Sequence, residues 1–291
     1  MSTGVIVLQR RNLATNSRAR IWVGVEHGGW VNYTWTVQST PEIEALLDRL
    51  TDEIGRSLNG SLVGLYVYGS LVTGDFEKES SDIDLLAVVS SDIEGETFER
   101  LDRMHTRFVE DHPEYENRIE VAYLSAPALW KFKTETNSMA VISPGEPFHM
   151  KDTGRDWLMN WYTVREMDVA LYGPPPHTLI PEISSAEFVE AAREHAKYWR
   201  DWVHEMRTPG SQAYAVLTMC RALYTRTHGE QVSKKKAALW AKAYLPQWAA
   251  LIERSWSRRS DTRDEETDEG EFCETVRFVH DVAGRVGGQI Q

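Results

Sequence analysis

Short apolar runs separated by polar turn residues fill the first half of the chain. Segments 62–68 and 83–89 are rich in branched and aromatic residues and are bounded by glycine or serine, so each predicts a buried strand. Apolar side chains alternate with other types at 119–124, which predicts a third strand. Apolar residues at helical spacing over 41–58 and 94–111 predict helices before and between these strands. This order of elements indicates the start of an α/β unit built on a mixed sheet.

The second half of the chain has helical periodicity throughout. Helices are predicted over 157–171, 184–206, 214–227, 233–245, 247–256 and 272–286. Residues 125–156 contain scattered prolines and glycines and predict an irregular linker, which would divide the chain near residue 155. Near the start, two aromatic and branched stretches within 21–37 flank His27-Gly28-Gly29 and predict a hairpin. We therefore predict an α+β protein with an N-terminal extension at 1–38 that carries the hairpin, a mixed-sheet domain at 39–155 and an all-α helical bundle at 156–291.

Three carboxylates fall near the starts of the predicted strands. Because side chains alternate across a strand, Asp82 and Asp84 point to one face and Ile83 to the other. Two carboxylates about 7 Å apart along a strand repel each other unless a cation lies between them. Hard oxygen ligands suit Mg²⁺, which one or two carboxylates share with substrate phosphates. Glu120 would supply the third carboxylate of two-metal phosphoryl chemistry if its strand lies beside the aspartate pair, so we predict Mg²⁺ at these three residues.

Residues suited to binding phosphate occur in both halves. Gly69 has no Cβ, so a phosphate can approach its backbone closely, and Ser70 adds a hydroxyl and an N–H. In the second half, Ser233 predicts the N-cap of a helix whose first turn contains Lys234. A cation at a helix N-terminus opposes the helix dipole, and a bound anion would remove that conflict.

Composition and charge narrow the range of partners. The chain has 291 residues, 42% hydrophobic and 26% charged, which is ordinary for a soluble globular protein of two domains. Its net charge is −12, whereas a nucleic-acid partner usually demands a basic face, so we expect no nucleic-acid partner. The same acidity suits a small cationic partner. No apolar run approaches the length that spans a bilayer, and the two cysteines offer neither metal-ligand spacing nor a disulfide framework. We expect a cytoplasmic protein without a membrane partner.

A resemblance to a known family rests on motifs in both halves. Tyr-Gly-Ser-Leu-Val-Thr-Gly at 68–74, followed by Ser-Asp-Ile-Asp-Leu-Leu at 81–86, resembles the streptomycin/spectinomycin adenylyltransferases of the polymerase-beta-like nucleotidyltransferase superfamily. Segments 217–225 and 233–240 are similar to two helices of that family. The resemblance covers about residues 40–255. It implies a nucleotidyltransferase fold at 39–155.

The family's activity gives each candidate residue an expected role. The resemblance implies transfer of AMP from ATP to a hydroxyl of a small cationic acceptor, an aminoglycoside-type antibiotic, with Mg²⁺ at Asp82 and Asp84. Glu120 would act as the general base on that hydroxyl and share in binding the metal. The triphosphate would be bound by the residues Gly69, Ser70, Ser81, Arg221 and Lys234.

One departure from the family bears on the acceptor. Streptomycin-using members carry an acidic residue just before the first of the two matching helices, where this chain has Gly210-Ser211-Gln212. Spectinomycin is therefore favoured over streptomycin, and another hydroxylated amine stays open, as does GTP in place of ATP. A protein-modifying relative such as an AMP-adding antitoxin is disfavoured by the long helical half. A non-catalytic nucleotide sensor is disfavoured by the intact carboxylates, since a binder does not need the base.

Overall fold

The computed structural model describes residues 19–25, 29–35, 40–261, 263 and 265–288. Two strands near the start, β1 (Ala19–Val25) and β2 (Gly29–Trp35), pair antiparallel, as the predicted hairpin requires. The turn of that hairpin, at 26–28, lies outside the described residues.

A six-stranded sheet with flanking helices follows the hairpin. Its elements are α1 (Pro41–Leu58), β3 (Leu62–Tyr68), α2 (Ser70–Thr73), β4 (Ile83–Val89), α3 (Gly95–Asp111), β5 (Ile119–Ser125), α4 (Ala126–Lys131), β6 (Asn137–Ser143), β7 (Glu146–Thr153), α5 (Leu158–Met167) and β8 (Ala170–Tyr172). The strand order is β7-β6-β5-β4-β3-β8. The β4–β5 pair is parallel, and the other pairs are antiparallel, so the sheet is mixed as predicted.

Side-chain alternation divides the sheet into two covered faces. Odd-numbered residues of β3, β4 and β5, such as Leu65, Leu85 and Val121, pack against α1 and α3. Even-numbered residues, such as Leu86 and Ala122, pack on the other face against α4 and α5. Any polar residue at an even position near the start of β4 or β5 therefore points to the α4–α5 side.

The helical half is built around one buried helix. Its elements are α6 (Ser185–Trp202), α7 (Pro209–His228), α8 (Lys234–Tyr244), α9 (Ala249–Ser257) and α10 (Glu269–Gly287). Helix α7 is buried along most of its length and contacts the four others. Ser184 and Glu187 form the predicted capping box of α6, and the Ser233 side chain caps α8 as predicted. Among the described residues, no helix is long and apolar enough to cross a membrane.

Two of the predictions were wrong in the middle of the chain. The expected irregular linker at 125–156 contains α4 and the β6–β7 hairpin, whose turn includes Pro144 and Gly145. The ring of Phe148 stacks on Phe98 at 4.7 Å between centroids, so this residue packs in the core. The helix expected over 157–171 ends at Asp168, which adopts a left-handed conformation with φ 53°.

The strand after that helix bears on how the chain divides. Strand β8 pairs with β3 at the edge of the sheet, so the sheet includes residues that follow position 155. The domain division at residue 155 stays a prediction, and the sheet's last strand lies on the far side of it.

The turn after β8 gives a test of this edge pairing. Gly173 has φ +85°, and a Cβ there would lie 2.2 Å from the Val63 carbonyl oxygen in β3. Gly60 has a similar φ of +87° with nothing near its missing Cβ. We expect Gly60→Ala to cost roughly 1–2 kcal/mol of unfolding free energy from backbone strain alone. Gly173→Ala should cost about 2–5 kcal/mol because a backbone clash adds to that strain. Urea unfolding of both variants measures the difference, and equal losses would mean that β8 is not held against β3.

Candidate active site

A line of polar side chains crosses the sheet where β4 and β5 begin. Tyr68 at the end of β3 pairs with Asp84 in β4, and Asp84 pairs with Glu120 in β5. All three are even-numbered and lie on the α4–α5 face, because the parallel β4–β5 register places equivalent positions side by side. Asp82 lies two residues before Asp84, just ahead of β4. The structure thus brings the predicted carboxylates to one side of the sheet.

The carboxylates are close enough to shift one another's ionisation. Burial raises the pKa of Asp84 to about 8, and the negative charges of Glu120 and Asp82 contribute to the rise. Burial also raises the pKa of Glu120, which the hydrogen bond from Tyr68 opposes. For Asp82 burial again raises the pKa, while Lys234 pulls it down. Charge repulsion and burial therefore both favour protonated carboxyl groups in the absence of a cation.

The turn after β3 approaches Asp84 so closely that only glycine fits. Gly69 has φ 69°, and a Cβ there would lie 1.8 Å from the Asp84 carboxylate oxygen Oδ2. The backbone N–H of Ser70 donates a hydrogen bond to the Asp84 carboxylate. The hydroxyl of Ser70 is buried and has no hydrogen-bond partner within the described part of the chain. Such an orphaned hydroxyl fits an anionic ligand better than a closed core.

Ser81 is engaged within the loop that precedes β4. Its hydroxyl accepts a hydrogen bond from the Glu77 backbone N–H at 2.9 Å. Its carbonyl accepts hydrogen bonds from the guanidinium of Arg118. The direct contacts of Ser81 therefore shape the loop that carries Asp82, and its predicted role in binding phosphate stays a prediction.

The helical half supplies the cations that face these carboxylates. Burial lowers the pKa of the Lys234 ammonium at the start of α8, and the positive charge of Arg221 in α7 lowers it further. The carboxylates of Asp84, Asp82 and Asp75 act in the opposite direction. Lys234 thus lies within electrostatic reach of Asp82 and Asp84, and Arg221 lies within reach of Lys234.

Two contacts that the sequence did not suggest join the loop before β4 to the helical half. The Asp75 carboxylate accepts a hydrogen bond from the backbone N–H of Lys235 at 2.7 Å. An anion was expected at the N-terminus of α8, and Asp75 provides one from within the chain. Glu77 forms an ion pair with Arg259, which follows α9. No sequence signal links these positions, because they meet only when the two halves pack together.

Metal binding at this site would depend on a shared ligand. Among residues 40–261, 263 and 265–288, no group of three or more His, Cys, Asp or Glu side chains is arranged to hold a metal ion. Mg²⁺, however, is commonly held by one or two carboxylates together with substrate phosphates. Asp82 and Asp84 fit that pattern, since a cation would relieve the repulsion that raises the pKa of Asp84. A phosphate oxygen would give the buried Ser70 hydroxyl a hydrogen-bond partner. Glu120 already accepts a hydrogen bond from Tyr68.

Family models match both halves of the chain. The model described as a nucleotidyltransferase domain matches residues 48–140, which contain all three carboxylates. The model described as the C-terminal domain of aminoglycoside adenylyltransferase matches residues 178–285, which contain Arg221 and Lys234. The fold and the motif at β3–β4 thus define the protein as a nucleotidyltransferase, an enzyme class. The matching helical half goes further, and the chain belongs to the aminoglycoside adenylyltransferase family.

Individual relatives agree with that placement. An aminoglycoside (3'')(9) adenylyltransferase from Shigella flexneri is 26% identical over 262 residues, which are 84% of this chain and 95% of the relative. One from Rhizobium radiobacter is 27% identical over 225 residues, covering 71% and 79% of the two chains. The crystal structure of a spectinomycin adenyltransferase from Enterococcus faecialis, with ATP and spectinomycin, has a TM-score of 0.68 at 17% identity. It covers 84% of this chain and 99% of that one, so the overall fold is shared.

The raised pKa of Asp84 generates a test of the site's electrostatics. Without a bound cation, the folded protein keeps the Asp84 proton up to pH about 8, whereas an unfolded carboxyl loses it near 3.8. The folded state therefore loses stability relative to the unfolded state as pH rises between these two values. In the absence of divalent cations, the unfolding free energy of Asp84→Asn should rise relative to that of wild type by roughly 4 kcal/mol between pH 5 and pH 8.

Thermal and urea unfolding at several pH values measure that gain. Asp92→Asn, at an exposed position beyond the other end of β4, is the matched control and should follow wild type. An Asp84→Asn variant whose stability changes with pH in parallel with wild type would show that the carboxylate is not destabilised in the folded protein.

Proposed function

We propose that this enzyme transfers AMP from ATP to a hydroxyl of an aminoglycoside-type antibiotic, with Mg²⁺, and so confers resistance. The observation that carries the proposal is the opposition of two charged sets. Asp82, Asp84 and Glu120 lie on one face of the sheet, and they face Lys234 of the helical half, which has Arg221 close by. The first set suits a cation and an acceptor hydroxyl, and the second suits phosphate. A cytoplasmic location agrees with a reaction that consumes ATP.

Each residue has a distinct part in the proposed reaction. Asp82 and Asp84 would hold Mg²⁺, with Glu120 sharing in it. The bound ion would neutralise charge on the phosphate oxygens. Lys234 and Arg221 would bind phosphate oxygens from the helical side. Gly69 and Ser70 in the turn after β3, and Ser81 in the loop before β4, would bind them from the sheet side. These contacts would hold the acceptor oxygen, the α-phosphorus and the leaving oxygen in line, which is where most of the rate gain of such a transfer arises.

Glu120 is proposed as the general base. Burial raises its pKa, which brings the carboxylate closer to the basicity that suits proton abstraction near neutral pH. The acceptor hydroxyl would give its proton to Glu120 as its oxygen bonds to the α-phosphorus. The bond from that phosphorus to the bridging oxygen would break, and pyrophosphate would leave.

The acceptor is proposed from the relatives and from the charge of the chain. The matched relatives are named as aminoglycoside adenylyltransferases, and the structural neighbour was determined with spectinomycin. A net charge of −12 favours encounter with a cationic hydroxylated compound over a nucleic acid or a membrane surface. At the start of α7 the Ser211 side chain and Thr208 cap the helix, and no acidic residue takes the place found in streptomycin-using members. Spectinomycin is therefore the proposed first acceptor, ahead of streptomycin.

Pyrophosphate release with ATP, Mg²⁺ and a panel of aminoglycosides tests the proposal. Glu120→Gln should lower kcat by about 10²–10⁴-fold, the usual contribution of a positioned general base. Glu116→Gln, an exposed glutamate four residues earlier, is the control and should keep wild-type rates. A kcat of Glu120→Gln close to that of wild type would show that Glu120 is not the general base. ATP binding without pyrophosphate release across the whole panel would favour a nucleotide sensor.

Lys234 permits a sharper test of phosphate binding, because an adjacent lysine serves as its control. The Lys234 side chain faces the carboxylates, whereas the Lys235 side chain is exposed. Loss of a charge-assisted hydrogen bond costs about 1.5–3 kcal/mol, so Lys234→Gln should raise the KM for ATP by roughly ten- to a hundredfold. Lys235→Gln should leave that KM within about twofold of wild type. Equal KM values for the two variants would contradict a direct role for Lys234.

A further inference from the structure

The polar line across the sheet contains two hydroxyl groups to which the proposed reaction has so far given no role. Tyr68 at the end of β3 donates a hydrogen bond from its hydroxyl to Glu120 Oε1 at 2.5 Å. Val121 pairs with Ile142 in the antiparallel β5–β6 ladder, which places Ser143 beside Glu120 on the opposite flank. Because Ser143 lies opposite Glu120 in this ladder, the two side chains are on the same face of the sheet. Glu120 is thus flanked by hydroxyls from the strands on both of its sides.

Tyr68 is held firmly enough to fix the carboxylate it contacts. Its side chain is only 5% exposed and packs in the core between the sheet and α4–α5. A phenol is protonated near neutral pH, so the Tyr68 hydroxyl remains a donor to Glu120. A glutamate side chain in a half-open site otherwise samples several rotamers, and ordering it has an entropic cost at each turnover. A donor fixed by core packing removes that freedom before the substrate arrives.

We propose that Tyr68, with Ser143 on the other flank, is a positioning residue that aims the Glu120 carboxylate at the acceptor hydroxyl. This inference rests on the proposed function, since it assumes that Glu120 is the general base. Tyr68 donates to Oε1, so the acceptor's proton would go to the second carboxylate oxygen, Oε2. Neither hydroxyl exchanges its own proton in the reaction: the proton moves from the acceptor to Glu120, and Tyr68 and Ser143 act only through that side chain.

The chain offers a matched control for removing the Tyr68 hydroxyl. Tyr66 lies two residues earlier on the same strand and the same face, and it is also buried. Its hydroxyl donates to the Pro174 carbonyl oxygen at 2.8 Å. Pro174 follows the edge strand β8 and is separated from the strand of Glu120 by β3 and β4. Tyr66→Phe and Tyr68→Phe therefore delete the same atom from the same strand, and only the second touches the proposed base.

The test compares kinetic parameters for pyrophosphate release. Tyr68→Phe should lower kcat on the order of ten- to a hundredfold, as expected for a misplaced catalytic group. Its KM for ATP should stay within about twofold of wild type, because no nucleotide contact is lost. Ser143→Ala should lower kcat in the same way but less, and it carries the test if Tyr68→Phe fails to fold. Tyr66→Phe should leave kcat unchanged.

Introducing Tyr68→Phe into the Glu120→Gln variant distinguishes a positioning role from a general loss of structure. If Tyr68 acts through Glu120, adding Tyr68→Phe to Glu120→Gln should have no further effect on kcat, since the two residues work as one unit. Equal losses from Tyr68→Phe in both backgrounds, or an unchanged kcat in the wild-type background, would overturn the positioning role while leaving the proposed function intact. A wild-type protein that releases no pyrophosphate with any acceptor would overturn both.

Discussion

The constraint on which the structure depends is the crowding of three carboxylates on one face of a sheet. The parallel register of β4 and β5 sets Asp84 beside Glu120, and Asp82 adds a third negative charge at the same end. Burial raises the pKa of all three, and repulsion by neighbouring carboxylates adds to the rise at Asp84 and Glu120, so the fold without a cation holds these groups at a cost. That cost is partly offset by Lys234, which the helical half brings to the same place. This arrangement of charges is the basis on which we propose that the site binds a phosphate-bearing ligand with Mg²⁺.

The loop between β3 and β4 connects this electrostatic arrangement to the packing of the two halves. Gly69 brings the start of the loop within contact of Asp84, where any larger residue would collide with the carboxylate. Further along, Asp75 accepts from the N-terminus of α8, and Glu77 pairs with Arg259. The same loop therefore carries Asp82 on one side and fixes the helix that begins with Lys234 on the other. A change in how the halves pack would alter the distance between the cations and the carboxylates directly.

The candidate residues of the site could be predicted from the sequence because the prediction depends on short-range rules. Alternation along a strand puts Asp82 and Asp84 on one face, and a polar residue at an apolar strand end signals a ligand. The structure brings Glu120 to the same face. Contacts between the halves could not be read in this way: Asp75 and Lys235 are 160 residues apart and meet only through tertiary packing. The role inferred for Tyr68 also needs three dimensions, since its hydroxyl reaches past Asp84 to a strand that is distant in sequence.

The errors at the middle of the chain have a similar cause. Pro144 and Gly145 are typical of linkers, yet here they turn a hairpin that extends the sheet. Strand β8 is three residues long, too short for a period to be recognised, and its pairing with β3 becomes evident only in the assembled sheet. Local patterns thus identified the charged candidate residues. They missed the β6–β7 hairpin and β8, which can be recognised only from the strands with which they pair.

Mass spectrometry of the acceptor after incubation with ATP, Mg²⁺ and spectinomycin tests the central claim most directly. We expect the wild-type protein to yield spectinomycin heavier by one AMP group, with one pyrophosphate released for each molecule modified. The Glu120→Gln protein should yield almost none in the same time. If every aminoglycoside in the panel stays unmodified while ATP is bound or hydrolysed, the assignment of this cluster of carboxylates and lysine to AMP transfer is contradicted.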